Sequence, residues 1–263
     1  MLIHKNSFKR VLVYRSDLLP YSETFIKQQI SFLTNWDALL TGNRLISDLE
    51  LDNIKTFIWD STEYSSLIHK IWHEFNAFVW YPLPRQIRTI QNCRPCLIHA
   101  HFGPDGVAIY PVAKKLSIPL IITLHGYDIN IYREWWENGL LGWRNRFYPR
   151  RLLQMGREGV YFIAVSHAIR QRAIEYGLPP EQVTVRYIGI DTQDFLPGGM
   201  PISQRAKRIL FVGRLVEKKG CETLIRAYYQ VRKRVRGAEL IVVGDGPLRS
   251  SLEALARNLV VPV

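Results

Sequence analysis

Arg214, Lys218 and Lys219 stand at the mouth of an apolar run. In "ILFVGRLVEKKG" (209–220), four apolar residues lead into Gly213, and three cations follow before Gly220. Such a run, closed by glycine, reads as a buried strand. Open α/β sheets bind ligands outside the carboxyl ends of their strands, and cations there suit an anion. A guanidinium grips oxygens with a fork, and an ammonium adds a point charge. A second turn, "VGDGP" (243–247), places Gly244 and Gly246 where a backbone can approach a ligand closely. A helix opening at Pro247 would add free N–H groups and a positive dipole end. Together these features suit a bound diphosphate. The alternative is a solvated basic loop whose glycines only turn the chain. The turn is G-x-G rather than G-x-G-x-x-G, which disfavours a nicotinamide cofactor.

Earlier strand ends carry polar side chains of their own. "HAHFGPDG" supplies His99, His101 and Asp105 with Gly103 and Gly106. "TLHGYD" supplies His125, Gly126 and Asp128, and "AVSHAI" supplies Ser166 and His167. Strand alternation puts His99 and His101 on one face. A purely structural role for a strand-end histidine is the competing reading. No H-E-x-x-H and no G-x-S-x-G occurs, so neither a zinc site of that kind nor a serine hydrolase is indicated, and no metal is expected. Cys93 and Cys96 form a single C-x-x-C without a second pair, which reads as ordinary thiols, as does Cys221.

The elements that must position these residues alternate between strand and helix, as in an α/β fold with a largely parallel sheet. Strands are expected at 10–16, 55–60, 96–102, 119–126, 161–167 and 183–191. Helices are expected at 22–35 with Ser22 as N-cap, at 105–117 and at 168–177, and a Pro-broken helical stretch covers 63–91. Residues 192–201, "TQDFLPGGMP", read as a linker. The pattern then restarts with strand, helix, strand and helix. The expected domains are therefore 1–200, complete, and 201–263, a partial second unit.

Composition narrows the partners. Hydrophobic residues make up 47% of the 263, enough for a real core. No apolar segment reaches membrane-spanning length, and no signal-peptide pattern opens the chain. The net charge is +12, and 205–236 alone holds eleven Lys/Arg against two Glu. That patch can meet nucleic acid, anionic lipid or a phosphorylated small molecule. The absence of a nucleic-acid reading motif argues against the first. Stretches such as "REWWENGLLGWRNRFYPRR" can rest on an anionic membrane or can be core and solvated faces.

Taken in order, "SETFI", "HAHFGPDG", "TLHGYD", "FIAVSHAI", "YIGID", "FVGRLVEKKG" and "ELIVVGDGPLR" resemble glycosyltransferase family 4 from about Val11 to the last residue. "SETFI" with "HAHFGPDG" is similar to members of the colanic acid and amylovoran type. The resemblance implies a GT-B fold of two Rossmann-like domains, the second incomplete here. It implies a retaining, metal-independent enzyme that moves a sugar from a UDP- or GDP-sugar to a glycan or lipid-linked acceptor in bacterial exopolysaccharide synthesis. It implies a cytoplasmic protein, peripheral at the inner face of the plasma membrane.

The resemblance also implies roles. Arg214 and Lys219 match the cations on the donor diphosphate, with Lys218 the spare, and His125 matches the histidine near the reacting carbon. Gly244 and Gly246 match the turn facing the nucleotide. Ser22 and Glu23 stand where many members carry a glycine-rich loop; with His101, Gly103, Asp105, Asp128 and Ser166 they complete the expected acceptor side. The family's Glu-x7-Glu motif does not occur in the 263 residues. The resemblance therefore implies a truncated chain of poor activity, or a non-catalytic sugar- or nucleotide-binding remnant.

Overall fold

The first strand shows how the sequence makes its sheet. In Lys9–Tyr14 (β1), Val11, Leu12, Val13 and Tyr14 are all buried. A strand covered on both faces needs apolar residues at every position, as parallel strands do. Val11 and Val13 join a cluster with Ile26 and Ile30 of the helix Thr24–Ser31. Leu12 and Tyr14 face the opposite cluster, with Ile109, Val112 and Ala113 of the helix Gly103–Leu116. Helices thus cover both sides, the doubly wound arrangement.

The computed structural model describes residues 9–18, 23–46, 51, 54–59, 79–196 and 198–259. Two short strands, Asp17–Leu18 (β2) and Arg44–Leu45 (β4), pair beside the main sheet. The main sheet holds Trp36–Gly42 (β3), Lys55–Ile58 (β5), Leu97–His101 (β6), Leu120–Leu124 (β7), Tyr161–Ala164 (β8) and Val183–Val185 (β9) with β1. All seven run parallel, in the order β5-β3-β1-β6-β7-β8-β9. The order reverses direction between β1 and β6, which makes that pair the topological switch point.

Strand β3 went unread in the sequence because Trp36 and Asp37 break the apolar run. Asp37 is held by Arg10 Nε at 2.7 Å and by Lys55 Nζ at 2.6 Å, so the charge bridges three neighbouring strands. The strand expected over 183–191 stops at Val185, because its neighbour β8 ends at Ala164 and the ladder has no further partner. Of the expected 63–91 helical stretch, 63–78 lies outside the described residues. Pro84–Cys93 is helical, with Pro at its first position.

The chain divides into two units, Met1–Asp191 and Thr192–Val263. The second holds Arg208–Val212 (β10) parallel to Glu239–Val243 (β11), with helices Cys221–Arg234 and Arg249–Asn258. Its core gathers Leu215, Ile225, Tyr228, Leu240, Leu252 and Ala256. The other face of this small sheet leaves Leu210 60% and Val212 70% exposed.

Candidate functional site

In the first unit, the polar strand ends converge at the switch point. Arg15 follows β1 directly and is gripped from two sides. Its Nε and Nη2 donate to Glu23 at 2.8 and 2.9 Å, and its Nη1 donates to Asp105 Oδ2 at 2.6 Å. Ser16 N donates to the same Asp105 oxygen at 3.2 Å, and Ser16 Oγ donates to Asp105 Oδ1. Burial pulls the Arg15 guanidinium down, but the bonds from Glu23 and Asp105 leave it above its usual value. Burial raises the Asp105 carboxyl, against the pull of Arg15 and Ser16. This is a paired buried charge with its hydrogen bonds made, the form in which such charges persist.

Beside it lie three imidazoles. His99 and His101 share one face of β6, with ring centroids 4.6 Å apart, as alternation requires. His99 Nε2 meets Thr123 Oγ1 at 2.7 Å, and His101 Nδ1 meets His125 Nε2 at 3.0 Å. Burial lowers all three: His99 to about 4, His125 to about 4, and His101 well below its usual range. At neutral pH the three rings are therefore uncharged, and His125 acts as a hydrogen-bonding group rather than a cation. Among the described residues, His101 Nε2 is buried without a partner. A proton there would be an orphaned donor, the costlier and rarer case. We assign the proton on that ground to His101 Nδ1, which then donates to His125 Nε2. His125 then carries its own proton on Nδ1.

Aromatic rings fix this arrangement. Phe25 packs on His125 at 4.8 Å and Phe102 at 4.5 Å. Phe102 has φ +70°, a conformation that costs a bulky side chain roughly 1–3 kcal/mol. Its N–H donates to Thr123 O at 2.9 Å, and the Arg15 guanidinium lies 4.6 Å over its ring. Together these contacts hold the strained residue in place.

Asp128 positions both turns from beneath. Fully buried, it accepts from Gly103 N at 3.0 Å, Gly126 N at 2.8 Å and His125 N at 3.2 Å. Burial raises its carboxyl while those N–H bonds oppose the rise. Gly103 has no room for a side chain: a Cβ there would lie 2.1 Å from Tyr148 Oη. Ser166 caps the helix His167–Tyr176, its Oγ accepting from Ile169 N at 3.2 Å. Ser22 lies outside the described residues.

In the second unit, Arg214, Lys218 and Lys219 are exposed beyond the carboxyl end of β10. Among the described residues, no carboxylate pins any of the three. Lys218 and Lys219 sit in the short 3-10 turn Glu217–Lys219, closed by Gly220 at φ +69°. The two glycine turns pack backbone to backbone. A Cβ on Gly244 would lie 1.9 Å from Gly213 O, and one on Gly246 2.6 Å from Leu215 O. These glycines admit a neighbouring turn of their own chain. Gly246 N donates to Asp245 Oδ1 at 2.8 Å, and the helix expected at Pro247 opens at Arg249.

Arg15, Phe25, Phe102 and Thr123 were not among the site residues expected from the sequence, where Phe25 read only as part of a helix's apolar face. The one available signal was a charge, Arg15, set directly against the apolar run of β1.

Residues 64–194 match the Glycosyltransferase Family 4 model, and residues 206–262 match Glycosyl transferases group 1. A putative teichuronic acid biosynthesis glycosyltransferase, TuaC of Bacillus subtilis, is 31% identical over 170 residues, 60% of this chain and 40% of that protein. A putative colanic acid biosynthesis glycosyltransferase, WcaL of Escherichia coli, is 28% identical over 159 residues, 59% of this chain and 36% of that protein. Among solved structures, Anabaena Alr3699/HepE in complex with UDP and glucose superposes with a TM-score of 0.67 at 17% identity, over 95% of this chain and 66% of that one. The chain thus spans less than half the length of the two curated relatives. The fold is the GT-B fold of glycosyltransferases. With one segment matched by each of two glycosyltransferase models, the chain is similar to glycosyltransferase family 4 over 64–194 and to glycosyl transferases group 1 over 206–262.

Proposed function

We propose that this chain is the acceptor-side unit and part of the donor-binding unit of a retaining glycosyltransferase of bacterial cell-surface polysaccharide synthesis. The donor is a UDP- or GDP-sugar, and the acceptor is a glycan or a lipid-linked glycan. The supporting observation is the set of exposed cations, Arg214, Lys218 and Lys219, at the carboxyl end of β10. Arg214 grips the donor diphosphate with its fork, and Lys219 adds a second charge. Two cations stabilise the negative charge that grows on the departing diphosphate, the work a divalent ion does elsewhere. His125, neutral and held by Asp128 and His101, offers a directed Nδ1–H to the donor sugar.

Membrane contact belongs to the same reading. Tyr132, Trp135, Leu140 and Trp143 are exposed close in sequence to Arg133, Arg146 and Arg150, a composition suited to an anionic headgroup region on the cytoplasmic side. Among the described residues, no helix is long and apolar enough to cross a membrane.

Titration calorimetry of the 263-residue chain with UDP and with GDP tests the donor reading. One nucleotide binds, and Arg214→Ala weakens it roughly tenfold or more, as expected for a lost charge-assisted contact. No binding of either nucleotide, or binding indifferent to Arg214→Ala, would refute it.

A further inference from the structure

The surplus charge of the second unit is split between the two ends of its sheet. Arg214, Lys218 and Lys219 lie beyond the carboxyl end of β10. Arg205, Lys207 and Arg208 lie at the opposite end: the first two precede the strand, and Arg208 opens it. The helix Cys221–Arg234 runs back to that end, because β11 starts there, parallel to β10. Its last turn carries Arg232, Lys233 and Arg234, and Arg236 follows in the loop to β11. Arg257, in the last turn of Arg249–Asn258, joins them, since Asn258 and Leu259 share one cavity with Tyr229, Arg232 and Lys233.

The segments 205–208, 232–239 and 256–259 hold a single carboxylate, Glu239, which is paired with Arg208 at 2.9 Å. Other contacts at this end leave the positive charge in place. Arg205 Nε donates to Met200 O at 3.0 Å, Lys207 Nζ donates to Arg236 O at 3.4 Å, and Lys233 Nζ lies 3.9 Å from the centre of the Tyr229 ring. Arg232 makes a contact of its own, and the surplus stands without it. Cations in a last helical turn complement the helix dipole. That does not account for Arg205 and Lys207 before a strand, or for Arg236 past the helix end. Like charges gathered at one end repel one another, so the cluster lowers stability unless something negative meets it.

Successive side chains of the last turn point about 100° apart around the helix. The charge therefore covers an end face instead of lining one groove, which suits a flat anionic surface better than an extended acidic strand. The cavity, of about 450 Å³, gives that face a recess, with the Lys233 ammonium and the Asn258 amide as donors at its wall.

We propose that this end of the second unit docks on an anionic phospholipid bilayer, with lipid phosphates held by Lys233, Arg234 and Arg236. The surface is separate from the donor cations at the other end of the sheet and from the aromatic segment of the first unit. It does not depend on the transferase reading.

Co-sedimentation of the 263-residue chain with phosphatidylcholine vesicles, with and without phosphatidylglycerol as roughly a third of the lipid, tests it. The chain should bind the anionic vesicles, ignore the neutral ones, and come off as salt screens the charges. Each cation near such a surface is worth about fivefold in partitioning. Lys233→Gln, Arg234→Gln and Arg236→Gln together should therefore weaken binding about a hundredfold. The pair Arg234→Gln and Arg236→Gln, which leaves Lys233 on Tyr229, should weaken it about twenty-fivefold. Arg214→Gln, Lys218→Gln and Lys219→Gln remove the same charge from the other end of the same unit and should leave vesicle binding nearly unchanged. Equal losses in the two triple variants would overturn the proposal, because net charge alone would then explain them. It is also overturned if Trp135→Ala with Trp143→Ala abolishes vesicle binding while the Lys233, Arg234 and Arg236 variant keeps it. Anisotropy titrations with a labelled DNA duplex at physiological salt cover the remaining polyanion. A duplex that binds through the same three cations, with no binding to vesicles, would make this a nucleic-acid surface and sink the proposal. A UDP titration of both triple variants keeps the two readings apart. Loss of UDP binding belongs to the Arg214, Lys218 and Lys219 variant, and its failure there would count against the donor reading alone.

Discussion

His101 and His125 meet ring to ring across adjacent strands, with Nδ1 of the first 3.0 Å from Nε2 of the second. Among the described residues the buried ring has no other partner for its second nitrogen, and the tautomer assigned to it sets which nitrogen of His125 carries the proton. Its effect on a ligand passes through His125, which makes it a positioning residue. In His101→Phe, the ¹⁵N shifts of His125 should change to a mixture of tautomers. Affinity for the UDP-sugar should fall about tenfold, while affinity for UDP alone stays unchanged. Equal losses for both ligands would show that the substitution had only damaged the fold.

The Arg15 network makes a stability prediction. Arg15→Ala leaves the buried carboxylates of Asp105 and Glu23 without the cation they share. Removing one partner of such a pair costs about 3–5 kcal/mol. Differential scanning calorimetry should show the transition of the first unit lowered by several degrees or lost, with that of the second unit unmoved. An unchanged first transition would mean that solvent already screens the carboxylates.

The pH dependence of the same unit follows from His99. Burial holds its pKa at about 4, against a usual 6.5. Between those values the unfolded chain binds the proton that the folded chain refuses. The contribution is full above pH 6.5 and is lost as the pH falls towards 4, a change of roughly 3 kcal/mol. Asp105 and Asp128 act in the opposite sense: their raised carboxyls favour the fold at low pH and lose that contribution as the pH rises past 3.8. Denaturant titrations of His99→Gln, which keeps a partner for Thr123, isolate the histidine. Its stability should vary less between pH 6.5 and 4 than that of the parent. Parallel curves would reject the assignment.

The glycines of the second unit should differ sharply from one another. Gly244→Ala combines φ +147° with a Cβ 1.9 Å from Gly213 O, and Gly246→Ala is nearly as crowded. Each should cost more than about 2 kcal/mol, the range of serious strain and overpacking. Gly213→Ala meets only Phe211 ring atoms at 3.7 Å and should be mild. Hydrogen exchange across β10 and β11 would report the difference, and similar protection in all three variants would contradict it.

Much of the fold was legible because parallel strands buried on both faces announce themselves as unbroken apolar runs. The runs around Val11, Ile98, Ile122, Phe162, Leu210 and Ile241 all became strands. β3 was hidden because Asp37 is neutralised by residues 27 and 18 positions away, a relation no local window contains. The candidate site was half legible for the same reason. Spacing placed His99 and His101 on one face. That His101 would find His125, and that Arg15 would find Glu23 and Asp105, depends on strand order. Asp128 read as a ligand-facing carboxylate, yet its three N–H partners come from two turns and leave it under the site. The glycine turn after β11 read as a close approach to a ligand, and the close approach the structure shows is to the backbone of the turn after β10.

The uncovered side of the β10–β11 pair has a practical outcome at the bench. Leu210, Val212 and Val243 present a water-facing aliphatic strip on two strands that, among the described residues, pair with each other and no third strand. Bare strand margins beside such a strip recruit further chains. Concentrated samples should turn turbid as ionic strength rises and the surplus of cations stops keeping molecules apart. Leu210→Lys with Val212→Lys should keep the solution clear, and dynamic light scattering would follow both.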